Sequence, residues 1–349
     1  MRPSDLAASV LVLALVPACA TSLPGGDLGA PDASDDGDAA TPPLAPGCLP
    51  FRSLPGVDAV TGAVRSVAQP DGGALFVVDD AVSGDADIPG LAITAPSTAT
   101  ADDCLAAAVV AGLSPASAFD PPTLGPLSGV VLDGVPAFYY VDPTYGSVGV
   151  AAQDPSDGIF RPEQALLWTA DRPTYGTAAV TTGGDVYALA CEPARFLDAD
   201  CYVARAPATS ADDEGAYGYY VGGGEWSPRV DDAWPMTSGG SSVDLAWLPG
   251  AGRWLLAYVP PLGNTIVVRS GLTPEGPWSA PVPAATCDLA DPDMFCGGVH
   301  LHPVLAAPAG SIVLSYAAAS LSPDVAARRA AEPLKWWPRL VALALPALP

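Results

Sequence analysis

Three short apolar runs follow one another between Ser241 and Pro281: Val243–Leu248, Arg253–Val259 and Thr265–Ser270. Each is rich in branched or aromatic residues, and each break carries Pro, Gly or Asn. Strand formers alternating with turn formers in this way predict an antiparallel meander. The stretch closes on Gly276-Pro277-Trp278, where the indole can cap the end of a sheet. A meander of this size is the unit from which β-propellers are assembled.

Comparable cassettes recur along the chain. The first spans roughly 57–127, with strands expected at Val64–Ala68, Ala74–Asp79 and Leu91–Thr94 and a helical insertion at Asp102–Ala111. The second, about 129–169, offers Val130–Leu132, Pro136–Val141, Val148–Ala152 and a closing Ala165–Trp168. The third, about 175–229, offers Gly176–Thr181, Asp185–Ala190, Cys201–Ala206 and Ala216–Val221 and ends near Trp226. The opening meander is the fourth. The fifth starts at Gly298, runs through Ser311–Ala317 and ends with Trp336–Val341. A period of about 45–60 residues suits propeller blades. The expected fold is therefore all-β: a five-bladed β-propeller with one short helical insertion. The tail Ala342–Pro346 is expected to pair with an N-terminal cassette and so leave no free edge. Trp168, Trp226 and Trp278 read as blade-end packing residues, and Tyr139, Tyr140, Tyr217, Tyr219 and Tyr220 as sheet packing.

The N-terminal pattern is different. Arg2 precedes an apolar run, Leu6–Val16, that is too short to span a bilayer and has the length of a signal-peptide core. It ends Val16-Pro17-Ala18-Cys19, which resembles a bacterial lipobox in which Cys19 is acylated; a plain signal cut near Ala18 or Ala20 is the alternative. Residues 20–47 are Pro, Gly, Asp and Ala with almost no large apolar side chain, so they read as a disordered acidic tether. This divides the chain into 1–19 signal segment, 20–47 tether and 48–349 propeller domain. The expected place is the outer membrane or cell surface, otherwise secreted or periplasmic, with membrane contact only through the N-terminal lipid.

Cysteine usage agrees with export. Of seven cysteines, setting Cys19 aside leaves Cys48, Cys104, Cys191, Cys201, Cys287 and Cys296, which can pair completely in an oxidising compartment. Cys191–Cys201 and Cys287–Cys296 are the local pairs, each closing a loop of about ten residues and contributing roughly 2–3 kcal/mol; Cys48–Cys104 follows by elimination. No CxxC spacing supports a metal site. The net charge of −24 excludes nucleic acid and anionic membranes as partners.

The order Asp185–Cys191, Cys201–Arg205, Ala216-Tyr217 and Glu225-Trp226, then Thr265–Arg269 with Thr273–Ser279, then His302-Pro303 and Ser315-Tyr316, resembles a bacterial exported five-bladed propeller family long catalogued without function, whose characterised relatives include endo-acting D-arabinanases. The resemblance covers about 170–345 well and 57–170 loosely. It implies an extracellular glycan as the partner of a monomer, bound or hydrolysed at the central axis. Two positions depart from the family. Val77–Ala81 stands where relatives carry a Phe-Gly-Asp-Thr-like strand end, and Val304 stands where they carry Glu. A non-catalytic surface binding or assembly propeller that has lost catalytic carboxylates is therefore the alternative.

Glycoside hydrolysis needs two carboxyl groups across the scissile bond. Asp79 and Asp80, ending an apolar strand, and Asp244, inside another, are the catalytic candidates. The competing reading is structural, with each acid satisfied by turn amides or by a basic neighbour such as Arg65 or Arg269. His300 and His302, the only histidines, sit two apart, which on a strand places both on one face. Together with Arg65 they are the candidate sugar contacts; a satisfied core histidine is the alternative. Zinc lacks a third nitrogen ligand. No cofactor is expected, with calcium at Asp212–Glu214 or Asp231-Asp232 the minor alternative to solvated loop charges. Gly222–Gly224 does not lie between a strand and a helix, and Ser238–Ser242 forms no nucleophile elbow, so phosphate-loop and serine-hydrolase chemistry are excluded.

Overall fold

The computed structural model describes residues 59–83, 86–95, 117–163, 166–195, 198–240 and 242–345. Cys19, the tether at 20–47, Cys48, Cys104 and the helix expected at Asp102–Ala111 lie outside them.

The described chain forms five antiparallel sheets in sequence order. Blade I holds β1 (Ala59–Ala68), β2 (Ala74–Ser83) and β3 (Ala86–Ala95). Blade II holds β4 (Gly125–Leu132), β5 (Val135–Asp142), β6 (Ser147–Gln153) and β7 (Phe160–Pro162). Blade III holds β8 (Ala178–Thr182), β9 (Asp185–Arg195), β10 (Asp198–Pro207), β11 (Gly218–Gly222) and β12 (Glu225–Ser227), with β13 (Thr237–Gly239) added to β10. Blade IV is β14 (Ser242–Leu248), β15 (Arg253–Val259), β16 (Thr265–Gly271) and β17 (Val282–Thr286). Blade V is β18 (Phe295–Leu301), β19 (Ser311–Ala319) and β20 (Arg339–Ala344). The first strands of the blades touch in a closed circuit, β1 to β4, β8, β14, β18 and back to β1. The protein is a five-bladed β-propeller.

Local chemistry explains the hairpins. Between β4 and β5, Asp133 and Gly134 both adopt positive φ (48° and 81°), the two-residue turn whose twist matches paired strands. The blades are held by side chains rather than by shared strands. Five buried apolar clusters occupy the five seams: Val77 with Phe138, Tyr139 with Val186, Leu189 with Leu256, Ile266 with Leu314, and Val313 with Phe76. Each such side chain, fully buried, contributes about 1.5–3 kcal/mol.

Three sequence expectations need correction. The fourth strand of blade II is Phe160–Pro162, and Trp168 makes only a single bridge, to Val148. Trp168 is nevertheless buried, and its indole N–H donates to the Tyr219 hydroxyl at 2.9 Å. The C-terminal β20 pairs with β19 of its own blade, so the seam between blades V and I closes by packing Leu340 and Val313 on Val60, Val64 and Phe76. Two short helices, α1 (Val325–Ala331) and α2 (Pro333–Trp336), lie in blade V before β20, where no helix was expected.

Both local disulfides are present. Cys191–Cys201 joins directly opposed residues of β9 and β10, and Cys287–Cys296 joins the segments around β17 and β18. Tyr139, Tyr140 and Tyr219 are buried in the sheets, as expected, and Tyr217 is buried just before β11.

Candidate functional site

The five first strands surround the propeller axis, and two cavities open along it. The larger, about 420 Å³, is lined by late residues of these strands, among them Val67, Val131, Thr181 and Ala246. The smaller, about 280 Å³, is lined by early residues such as Ala63, Leu127, Thr177, Ser242 and Gly298. Arg65 and His300 line both. Asp244 lines only the larger and Asp79 only the smaller.

Alternation along β14 sends Val243 and Leu245 into the seam with blade III and leaves Ser242 and Asp244 to meet β18. The Asp244 carboxylate is buried. Its Oδ2 accepts from the Leu301 amide of β18 at 2.7 Å and its Oδ1 from the Leu245 amide at 2.7 Å. His300 Nδ1 stands 3.5 Å from the same Oδ2. Two residues earlier on the same face, the Ser242 hydroxyl accepts from the Val299 amide at 2.6 Å. Asp244 thus stitches blade IV to blade V while exposing one edge to the cavity.

Asp79 is positioned by an irregularity in β1. The register with β2 shifts between Thr61 and Val64, and Gly62 there has φ +82°. A Cβ on Gly62 would come within 2.8 Å of the Asp79 Cβ, so only glycine admits the carboxylate this close. The released Ala63 amide donates to Asp79 Oδ2 at 2.8 Å, and Oδ1 pairs with the Arg65 guanidinium. Asp80 follows in β2, and its side chain lies outside the described residues.

The two histidines do not share a face. β18 ends at Leu301, so strand alternation stops before His302. His302 turns into the seam between blades V and I, fully buried, with Nδ1 2.8 Å from Ser66 Oγ and Nε2 2.9 Å from Ser315 Oγ. Burial, and secondarily the nearby His300, lowers its pKa to about 3, so the ring is neutral. It lines neither cavity. Arg269, the other basic neighbour expected for the acids, instead donates to the Ser279 carbonyl and Ser238 hydroxyl, both at 2.8 Å.

The acidic loops are occupied locally. Asp213 accepts from the Gly215 amide at 2.9 Å, Asp231 pairs with Arg172, and Asp232 accepts from Ser227 Oγ at 2.6 Å. Among the described residues, no group of three or more His, Cys, Asp or Glu side chains is arranged to hold a metal ion.

Two kinds of cavity residue were not anticipated. Trp247 and Trp254, directly opposed on β14 and β15, both line the larger cavity with ring centroids 5.4 Å apart. Trp247 is 41% exposed and so offers an apolar aromatic face to the larger cavity. The available signal was its place at the outer end of an otherwise buried strand. Arg329, on α1, lines the smaller cavity; no sequence pattern placed an element there.

Residues 144–317 match the family profile described as "Domain of unknown function (DUF4185)". Among solved structures, a protein from Bacteroides ovatus ATCC 8483, provisionally assigned as a hydrolase, superposes with a TM-score of 0.59 at 12% identity over 84% of this chain and 87% of that one. The GH43_1 enzyme from Xanthomonas citri superposes with a TM-score of 0.50 at 15% identity over 88% of this chain and 92% of its own. The chain is thus similar in fold to GH43-type propellers. No curated protein matches it in sequence.

Proposed function

We propose that the protein is exported, lipid-anchored at Cys19 and held off the membrane by residues 20–47, and that its larger axial cavity binds an extracellular glycan without cleaving it. The observation that carries the reading is the pairing of Arg65, Asp244 and His300, from three blades, with the Trp247–Trp254 wall around one 420 Å³ cavity. A sugar ring presents hydroxyl edges and apolar C–H faces. A pocket with a few convergent polar groups beside an aromatic surface meets both.

Hydrolysis fits the same cavity less well. It requires two carboxyl groups across one bond, whereas Asp79 and Asp244 line different cavities. Both Asp244 oxygens accept backbone amides, and Asp79 is committed to Arg65 and the Ala63 amide. Val304, at the position where the resembled family carries Glu, lines the larger cavity and supplies no acid.

The test is retention on, and turnover of, a panel of neutral polysaccharides, arabinan and xylan included, by the mature protein and a Trp247→Ala variant. Retention by the wild type, weakened about tenfold or more in the variant (~1.4 kcal/mol), with no oligosaccharide released, supports the reading. Oligosaccharide release would overturn its non-catalytic part, and no retention at all would overturn the glycan.

A further inference from the structure

The smaller cavity has chemistry of its own. The chain carries 38 Asp and Glu against 14 Lys and Arg, so its cations are scarce and most of those near α1 and α2 are matched to acids. Arg328 pairs with Asp291 and Asp293, and Lys335 with Asp291 and Glu332. Arg329 has no ion pair among the described residues. Its guanidinium lies over the Trp336 ring, 5.2 Å from the centroid, and lines the smaller cavity. Its Nε is buried without a hydrogen-bond partner, and so is the Nε of Arg65. Among the described residues Asp79 is the one acid lining this cavity, and Arg65 pairs with it. Arg329 is therefore the cation of this lining that has no acidic partner, in a molecule of net charge −24.

The Arg329 side chain makes no hydrogen bond among the described residues, so its guanidinium has donors to offer a ligand at the cavity wall. The cation–π contact with Trp336 holds Arg329 at the wall, and a guanidinium fork favours a planar, bidentate acceptor over a point charge. The remaining walls, Gly297, Gly298 and Ala317–Ala319, are small and leave room beside that fork. We propose that the smaller axial cavity is a binding site for a carboxylate-bearing ligand of about one ring, with Arg329 as the carboxylate anchor. The site shares Arg65 and His300 with the larger cavity, but its anchor Arg329 lines only the smaller one, and it does not depend on the glycan reading.

The experiment is titration calorimetry of the mature protein with D-galacturonate, D-galactose and lactate at low and high NaCl. Galacturonate should bind and galactose should not, with affinity falling as salt rises. Lactate decides between sources: binding equal to that of galacturonate assigns a general organic-acid site, and weaker binding assigns an acidic sugar. Arg329→Gln should weaken carboxylate binding at least tenfold, and Ala318→Leu, which fills the cavity without touching charge, should do the same. If one variant does not fold, the other decides. Absence of carboxylate binding by the wild type, equal binding of galactose, or affinity unchanged in a folded variant would overturn the site.

Discussion

His302 Nδ1 lies 2.8 Å from Ser66 Oγ, joining the end of β18 to β1 across the seam where the ring closes. On its other side Ser315 Oγ donates to the Val64 carbonyl at 3.0 Å and so accepts from His302 Nε2–H. This network selects the Nε2-protonated, neutral tautomer, with Ser66 donating to Nδ1. A second proton would turn Nδ1 from acceptor to donor and force the Ser66 hydroxyl to reverse its role, within a site whose burial disfavours the charge.

Stability should therefore respond to mild acid. The folded-state pKa of His302 is lowered from the ordinary 6.5 to about 3, so between those values the unfolded chain binds the extra proton. The contribution is complete above pH 6.5 and is lost as pH falls, at a limiting slope of about 1.4 kcal/mol per pH unit. Urea unfolding from pH 7 to 5, above the range where carboxylates titrate, should show this slope in the wild type. A His302→Gln variant should show it flattened, whatever its absolute stability. Identical slopes would remove His302 from the account.

Tyr139 and Tyr217 share a hydroxyl contact of 2.7 Å, and Tyr217 Oη donates onward to the Ala211 carbonyl at 2.7 Å. Tyr139 is thus the donor and Tyr217 the relay. Tyr139→Phe leaves Tyr217 bonded to Ala211, so it should cost little. Tyr217→Phe strands both the Tyr139 hydroxyl and the Ala211 carbonyl, at a cost of about 1–3 kcal/mol. Thermal denaturation of the two variants checks the order, and equal losses would contradict the relay.

Much of this fold was legible because its signals are local. The runs Val243–Leu248, Arg253–Val259 and Thr265–Ser270 became β14, β15 and β16 nearly residue for residue, since strand formers and turn formers alternate cleanly there. The two short-range disulfides were legible for the same reason. Partners set by tertiary geometry were not. Apolar composition marks Leu340–Leu343 as strand but carries no record of which strand it joins, and β19 proved to be the neighbour. The site suffered most, because which cavity a residue meets depends on its height along the axis. Asp79 and Asp244 look equivalent in sequence, yet they line different cavities. Arg329 sits on a helix of seven residues with no apolar stripe to announce it.

The two described disulfides should act independently. Each closes a short loop, with sequence separations of 10 and 9 residues, which in the chain-entropy account contributes about 2–3 kcal/mol. Replacing Cys191 and Cys201 by Ser, or Cys287 and Cys296 by Ser, should lower the unfolding free energy by that amount each, read from urea unfolding curves. Because the pairs sit in different blades, the quadruple variant should lose the sum within about 0.5 kcal/mol. A loss well outside the sum would mean that the two regions unfold as one coupled unit.

Asp244 and Trp247 separate stability from recognition within one strand. Asp244 holds the Leu301 amide of the neighbouring blade, whereas Trp247 is 41% exposed at the cavity mouth. Asp244→Ala removes an acceptor from a buried amide and should cost about 1–3 kcal/mol. Asp244→Asn keeps one oxygen to accept and should cost less. Both should weaken glycan retention, because they disturb the polar floor of the cavity. Trp247→Ala should leave the unfolding midpoint near that of the wild type and still weaken retention, since its exposed face contributes little to the core. Measuring unfolding and retention on the same three variants gives the decisive pattern. If Asp244→Asn loses stability but retains the polysaccharide fully, the carboxylate is an inter-blade strap alone, and the polar floor reduces to Arg65 and His300.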